Sequence, residues 1–316
     1  MKQLGNRFEN IESVVLLGHI HPDGDCIGSG LGLYNYIKEN YKNLTVDIYL
    51  EEMPQKFSYL NHFNQISHDT ACDKKYDLCI CLDSGDRGRL GDFVKYLDEA
   101  ADSLCIDHHI TNTRYANENI VMEHSSSTCE VLFDLMEEDK ISKATAECLY
   151  TGLIHDTGVF KYSNTSQNTL QVASKLVDKG IDFTSIIDDS FYKKTYIQNQ
   201  ILGRALLECV KFLKGKCIFS VIRKKDMEFY GATTHDFDGV VEQLRCTEGI
   251  ECAVFMYEIG GQEYKVSLRS NKYIDVSKVA EYFGGGGHIR AAGCTMAGSI
   301  YDVVNNLAKQ IEKQLA

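Results

Sequence analysis

Short β-branched or apolar runs alternate with helix-like segments through the first half of the chain, the pattern of a parallel sheet covered by helices. Ser13 to Gly18 reads as the first strand, and a helix is expected from about Ile27 to Glu39. Further strands are expected at Thr45 to Leu50, Tyr76 to Leu82 and Leu104 to Ile106. Ser127-Thr-Cys-Glu130 places a hydroxyl and a carboxylate three apart, a capping box that should open a helix running to about Glu138. Another helix is expected over Lys143 to Ile154.

From Ser166 to Gly215 the pattern is almost wholly helical, with Gly180 and Gly203 in its interior, and this stretch is expected to join two domains. Beyond it, Cys217 to Ile222, Glu251 to Glu258 and Glu263 to Leu268 read as strands, with Gly260-Gly261 as the hairpin turn between the last two. The fold class is therefore α/β: a parallel-sheet domain with helices on both faces over 1–185, a helical linker over 186–212, and a smaller α/β domain with a mixed sheet over 213–316. No internal repeat or low-complexity tract is present, and with only Pro22 and Pro54 in the chain a Pro-rich linker is excluded.

Composition narrows the function classes. At 316 residues the chain exceeds the commonest single-domain length, in keeping with two domains. Its 45 acidic and 33 basic side chains give a formal charge of −12, a field that repels phosphate backbones and argues against a coat for long duplex nucleic acid. An anionic substrate would need a local cluster of positive charge, which bound metal ions supply most densely. The 12 cysteines are scattered, with no Cys-x-x-Cys or zinc-ribbon spacing, and read as reduced core thiols; Cys79 and Cys81 should share one face of a strand. No signal-like opening and no apolar stretch of about 18 residues occurs, so a cytoplasmic, non-membrane protein is expected.

Candidate chemistry clusters at strand ends. His19-Ile-His-Pro-Asp23-Gly-Asp25 follows the first strand, where the crevice of an open α/β sheet holds its ligands. Asp23 and Asp25, in a loop bent by Pro22 and Gly24, can serve neighbouring cations, and His19 can add an imidazole nitrogen. A later strand ends at Asp83, another in Asp107-His108-His109, and a helical run ends at Asp156-Thr-Gly. So many carboxylates in one crevice would repel each other without counter-charge. Carboxylate and imidazole without thiolate suit two divalent ions, Mn²⁺ ahead of Mg²⁺.

These motifs, in this order, closely resemble the DHH phosphoesterase superfamily, and Gly284-Gly-Gly-Gly287-His288 with Arg290-Ala-Ala-Gly293 resembles the DHHA1 substrate-binding domain. His19 and the run from Asp156 to Thr165 are similar to the nanoRNase and pAp-phosphatase group and its cyclic-di-AMP phosphodiesterase relatives. The resemblance implies that His19, Asp23 and Asp83 hold one metal and that Asp25, Asp83, His108 and Asp156 hold the other, with Asp83 bridging. A hydroxide shared between the metals would be the nucleophile. Asp107 would orient His108, and His109 would face the phosphate or protonate the leaving group.

In the second domain the resemblance implies a substrate pocket of Arg269, Ser270, Gly286, Gly287, His288 and Arg290. The glycine run would bring backbone amides close to an anion, and Arg269 would clamp a terminal phosphate. Short molecules follow: pApA, few-residue RNA, pAp or a cyclic dinucleotide. A pyrophosphatase or polyphosphatase, or a nucleotide sensor that does not cleave, is the rival reading. A homodimer is compatible with the resemblance.

Overall fold

A computed structural model describes residues 4–71 and 73–315, and the described residues up to Lys193 form one compact unit while those from Lys194 form a second. The first unit runs β1 (Ser13–Leu17), α1 (Gly24–Asn40), β2 (Thr45–Tyr49), β3 (Ile66–Ser67), β4 (Leu78–Leu82), α2 (Val94–Glu99), β5 (Asp102–Asp107) and β6 (Glu118–Val121). Four helices complete it: α3 (Thr128–Leu135), α4 (Lys143–Asp156), α5 (Gln167–Asp178) and α6 (Phe183–Ile187). Its six strands are all parallel and lie in the order β3-β2-β1-β4-β5-β6. The chain reverses direction of travel between β1 and β4, so the crevice beyond their carboxyl ends is the place for a ligand.

Alternation within the strands builds a core on each face. Val14, Leu16, Ile80, Leu104 and Ile106 pack with residues of α1, α3 and α4 on one side. Val15, Leu17, Cys79 and Cys81 pack with Leu90, Phe93, Tyr96 and Leu97 on the other, so Cys79 and Cys81 do share a face, with their sulfurs 3.9 Å apart. Each such aliphatic side chain, fully withdrawn from water, contributes about 1.5–3 kcal/mol. The crossing of α1 on α4 depends on small residues: a Cβ on Gly28 would lie 2.6 Å from the carbonyl oxygen of Cys148, and one on Gly152 would lie 2.7 Å from Oδ1 of Asp25. That close approach brings the two helix ends carrying Asp25 and Asp156 to one place.

The second unit contains α7 (Tyr196–Leu207), β7 (Val210–Phe212), β8 (Cys217–Ile222), α8 (Lys224–Tyr230), α9 (Val240–Arg245), β9 (Cys252–Gly260) and β10 (Glu263–Ser270). It closes with α10 (Val276–Tyr282), β11 (Gly286–His288), β12 (Ala291–Ala297) and α11 (Ile300–Glu312). The sheet order is β11-β12-β10-β9-β8-β7, with β8 and β9 parallel and the other pairs antiparallel, a mixed sheet. Cores lie on both of its faces, one including Val266, Leu268, Val279 and Leu307, the other Ile218, Leu244, Ala253 and Phe255.

Some local expectations shift. The first helix begins at Gly24, not Ile27, because the Asp23 carboxylate accepts from the backbone N–H of Asp25 and of Cys26 and caps it. Asp25 therefore stands in a helix turn and not in a loop. The Ser127 hydroxyl caps α3 as expected, but Glu130 turns to the backbone N–H and hydroxyl of Ser126, so the box is half made; at its other end the helix stops at Leu135, where Met136 turns extended. The 166–215 stretch is broken into α5, α6, a π-helical turn (Asp188–Tyr192) and α7, and it ends in the strand β7. Among the described residues no helix is long and apolar enough to cross a membrane.

Candidate active site

His19 leaves the end of β1, Asp83 the end of β4, and Asp107, His108 and His109 the end of β5. Asp25 enters from the first turn of α1 and Asp156 from the last turn of α4. Asp83 is turned out of its strand by a left-handed backbone, φ 54°, a conformation that aspartate tolerates better than most residues. These elements gather three sets of donor atoms, each within 4.8 Å of one another: His19, Asp23 and Asp83; Asp25, His108 and Asp156; and Asp83, Asp107, His108 and His109.

Asp83 lies between the first two sets. Its Oδ2 is 3.5 Å from Nε2 of His19, and its Oδ1 is 3.6 Å from Nε2 of His108. The same Nε2 of His19 lies 3.7 Å from Oδ1 of Asp23. Nε2 of His108 lies 3.1 Å from Oδ2 of Asp156 and 3.9 Å from Oδ2 of Asp25. Each of these two imidazoles donates its other nitrogen to a backbone carbonyl: Nδ1 of His19 to Ile20 at 2.8 Å, and Nδ1 of His108 to Ser125 at 3.3 Å. A neutral ring held in that way presents Nε2 as a lone pair among carboxylates, which is how metal-ligating histidines are oriented. The donor set thus fits two divalent cations.

His109 is arranged the other way round. Its Nδ1 donates to Oδ1 of Asp107 at 2.8 Å, and Asn112 donates to Oδ2 of Asp107 at 2.6 Å. Here the structure corrects one expectation: Asp107 orients His109, whereas the side chain of His108 is held by the Ser125 carbonyl. The cause is the turn after β5, in which Oδ1 of Asp107 also accepts the backbone N–H of His108 at 2.8 Å, tying the carboxylate to that residue's backbone and not to its ring.

The electrostatics of the cluster call for positive charge. Burial alone would push the His19 imidazole down, yet hydrogen bonding to Asp23 and Asp83 brings its pKa up to about 10. His108, likewise buried, is brought to about 10 by Asp156 and by the charges of Asp25 and Asp83. Burial, followed by the charges of Asp83 and Asp156, raises Asp25 well above the usual carboxylate range. Asp156 is raised as well, by burial and by Asp83, against the pull of His108. Asp23 goes the other way: burial opposes, but His19 holds it down at about 2. Burial also opposes at Asp107, whose carboxyl is nonetheless held low by bonds from His109 and Asn112, and Asp107 in turn raises His109.

In the second unit Arg269 and Ser270 end β10; Arg269 pairs with Ala291 of β12, which on its other side pairs with His288 of β11. The sheet register brings this pair near Arg290 and His288, so the expected pocket residues share one end of that sheet. Nε of Arg269 donates to Oε1 of Glu242 at 2.8 Å. Ser270 is buried and its hydroxyl donates to the carbonyl of Ile274 at 2.6 Å, where Nη1 of Arg290 also donates at 2.8 Å. The Ser270 hydroxyl thereby ties down the loop after β10. The glycine run is likewise not a free loop. Gly285 and Gly287 face β12, where a Cβ would come within 2.2 Å of the Gly293 carbonyl oxygen and 2.5 Å of the Ala291 one, while Gly286 faces open space and His288 is exposed. Close strand pairing, as much as any anion, requires those two glycines.

Sequence reasoning passed over Asn112, Ser125 and Thr128, although all three touch the cluster. Thr128 lies within the capping box, whose signal was spent on the helix start.

Comparison with known proteins agrees with this geometry. The family described as "DHH family, N-terminal domain" matches residues 13–153, and the "DHHA1 domain" matches residues 214–316. The chain is 30% identical to the "Bifunctional oligoribonuclease and PAP phosphatase NrnA" of Mycoplasma genitalium, over 97% of this chain and 96% of that one. It is 28% identical to the protein of the same name from Thermus thermophilus, over 94% of this chain and 89% of that one. A crystal structure of an exopolyphosphatase-related protein from Bacteroides fragilis is similar over 98% of this chain and 95% of that one, with a TM-score of 0.88 and 25% identity. With both halves matched and the Asp/His cluster assembled at the sheet's switch point, the chain belongs to the DHH phosphoesterase family, in its DHH–DHHA1 form, and is a hydrolase of that class.

Proposed function

We propose that this hydrolase cleaves phosphoester bonds in short nucleotides: few-residue RNA such as pApA, 3'-phosphoadenosine 5'-phosphate (pAp), and within the same chemistry cyclic-di-AMP. The observation that carries the reading is the near full-length likeness to two relatives named as oligoribonuclease and PAP phosphatase, extending over both matched domains. In this reading His19, Asp23 and Asp83 hold one divalent ion, and Asp25, Asp83, His108 and Asp156 hold the other, Mn²⁺ ahead of Mg²⁺. Such ions would polarise the phosphoryl oxygens and lower the pKa of an attacking water. His109, whose Nδ1–H donates to Asp107 and whose pKa that carboxylate raises, carries a second proton on Nε2 in its imidazolium form and would give it to the leaving oxygen, leaving the neutral ring. A cytoplasmic location belongs to the same proposal, since short RNA is produced there.

Product analysis tests it: the purified protein with Mn²⁺ is incubated with pAp, pApA, cyclic-di-AMP and a five-residue RNA. Mononucleotide should appear from pApA or the RNA, or AMP from pAp. The name of the Bacteroides fragilis relative makes polyphosphate the second reading. Phosphate release from pyrophosphate or polyphosphate, with no mononucleotide from any of the four, would favour it and sink the first.

Arg269 carries the expected grip on substrate phosphate, supported by its place at the same sheet end as Arg290 and, one strand further, His288. Arg269→Ala should raise KM for pApA about tenfold, the size of a charge-assisted hydrogen-bond pair. Cleavage of bis-p-nitrophenyl phosphate should change little. Equal losses on both substrates would remove the clamp role.

A further inference from the structure

Thr128 is fully buried at the first position of α3. Its backbone N–H donates to Oδ2 of Asp25 at 2.6 Å, and its hydroxyl donates to Oδ1 of Asp83 at 3.1 Å. Cys129, the next residue, donates its backbone N–H to Oδ1 of Asp25 at 3.0 Å. One residue therefore holds a carboxylate of the Asp25, His108 and Asp156 set and the carboxylate that lies between that set and His19.

We propose that Thr128 is a positioning residue that sets the spacing of the two cation positions. The proposal rests on the reading of Asp25 and Asp83 as metal ligands. Asp25 is pinned by two amides of a helix N-terminus, where the aligned peptide dipoles favour negative charge. Among the described residues no backbone N–H donates to the carboxylate of Asp83, which accepts from the Thr128 hydroxyl. The left-handed main chain of Asp83 aims the side chain into the crevice, but rotation about its last bond would exchange or displace the two oxygens. The Thr128 hydroxyl fixes that rotation: Oδ1 is held toward His108, which leaves Oδ2 toward His19. A β-branched side chain has few rotamers of its own, so the hydroxyl position follows from the backbone of α3. The same helix start thus registers both carboxylates against one rigid element.

Thr128→Val removes the hydroxyl while keeping the shape and the backbone N–H to Asp25, and Thr128→Ser restores the hydroxyl. Mn²⁺ binding to chelator-stripped wild type and variants is read by calorimetry, and the electron paramagnetic resonance spectrum reports whether two Mn²⁺ ions are exchange-coupled. Wild type and Thr128→Ser should take up a coupled pair. Thr128→Val should bind one ion roughly 10- to 100-fold more weakly, the usual effect of removing a partner of a metal ligand, and lose the coupled spectrum at stoichiometric Mn²⁺. Should Thr128→Val melt far below wild type without metal, Thr128→Ala is used in its place. A hydroxyl-free variant that binds two ions with wild-type affinity and coupling overturns this proposal alone. A wild-type protein that takes up no coupled pair overturns the two-metal reading and this proposal with it.

Discussion

Asp83→Ala should lower metal-dependent hydrolysis by on the order of a thousandfold or more and leave the protein folded. Asp83 faces His19 with one oxygen and His108 with the other, so under the proposed two-metal reading its loss would open both cation positions at once. Stabilisation of phosphoryl charge by metal ions amounts to several kcal/mol, and about 4 kcal/mol corresponds to roughly a thousandfold in rate. The fold should survive because the carboxylate, although buried, sits among like charges, and its removal relieves repulsion with Asp25 and Asp156. Hydrolysis of bis-p-nitrophenyl phosphate with saturating Mn²⁺, alongside a melting curve without metal, measures both halves. Activity within tenfold of wild type would remove Asp83 from the bridging position.

Stripping divalent ions should abolish activity and make stability depend on pH. In the metal-free protein, His19 and His108 hold protons up to about pH 10, whereas in the unfolded chain they release them near 6.5. Between those values the folded state binds more protons than the unfolded state, so stability falls as pH rises. Asp25 and Asp156, also raised, act in the same sense, each losing its contribution as pH climbs through its raised value. Asp23, held at about 2, stabilises above the ordinary carboxylate range and loses that contribution only as pH falls toward 2. The melting temperature of the chelated protein should therefore drop between pH 6.5 and pH 9.5. Added Mn²⁺ replaces the protons and should flatten the curve as well as restore hydrolysis. A flat curve without metal, or full activity in chelator, would contradict the cluster.

Much of the site was legible because its residues sit at the ends of recognisable strands. Apolar runs mark β1, β4 and β5, and in a parallel sheet the residue after each run lies in the crevice regardless of how the helices pack. Asp83 and His108 could be found in that way. The partner of Asp107 could not: two adjacent histidines compete for one carboxylate, and only the turn geometry assigns it to the ring of His109. Thr128 was hidden for a similar reason, because its two bonds reach residues more than forty positions away, and no local spacing encodes them. In the second unit, the glycine run read as an anion loop also pairs β11 with β12, a close strand approach that no local spacing announces.

The sequence by itself determined the α/β class, the parallel and mixed sheets, and the residue types that can hold divalent ions, since periodicity and side-chain chemistry are local properties. Tertiary structure decided which oxygen of Asp83 faces which imidazole, that Asp25 stands on the N-terminus of α3, and that the Ser270 hydroxyl bonds the loop that follows it. Those assignments depend on how elements distant in the chain approach one another, and side-chain hydrogen bonds sense differences of a few tenths of an ångström that no spacing rule contains.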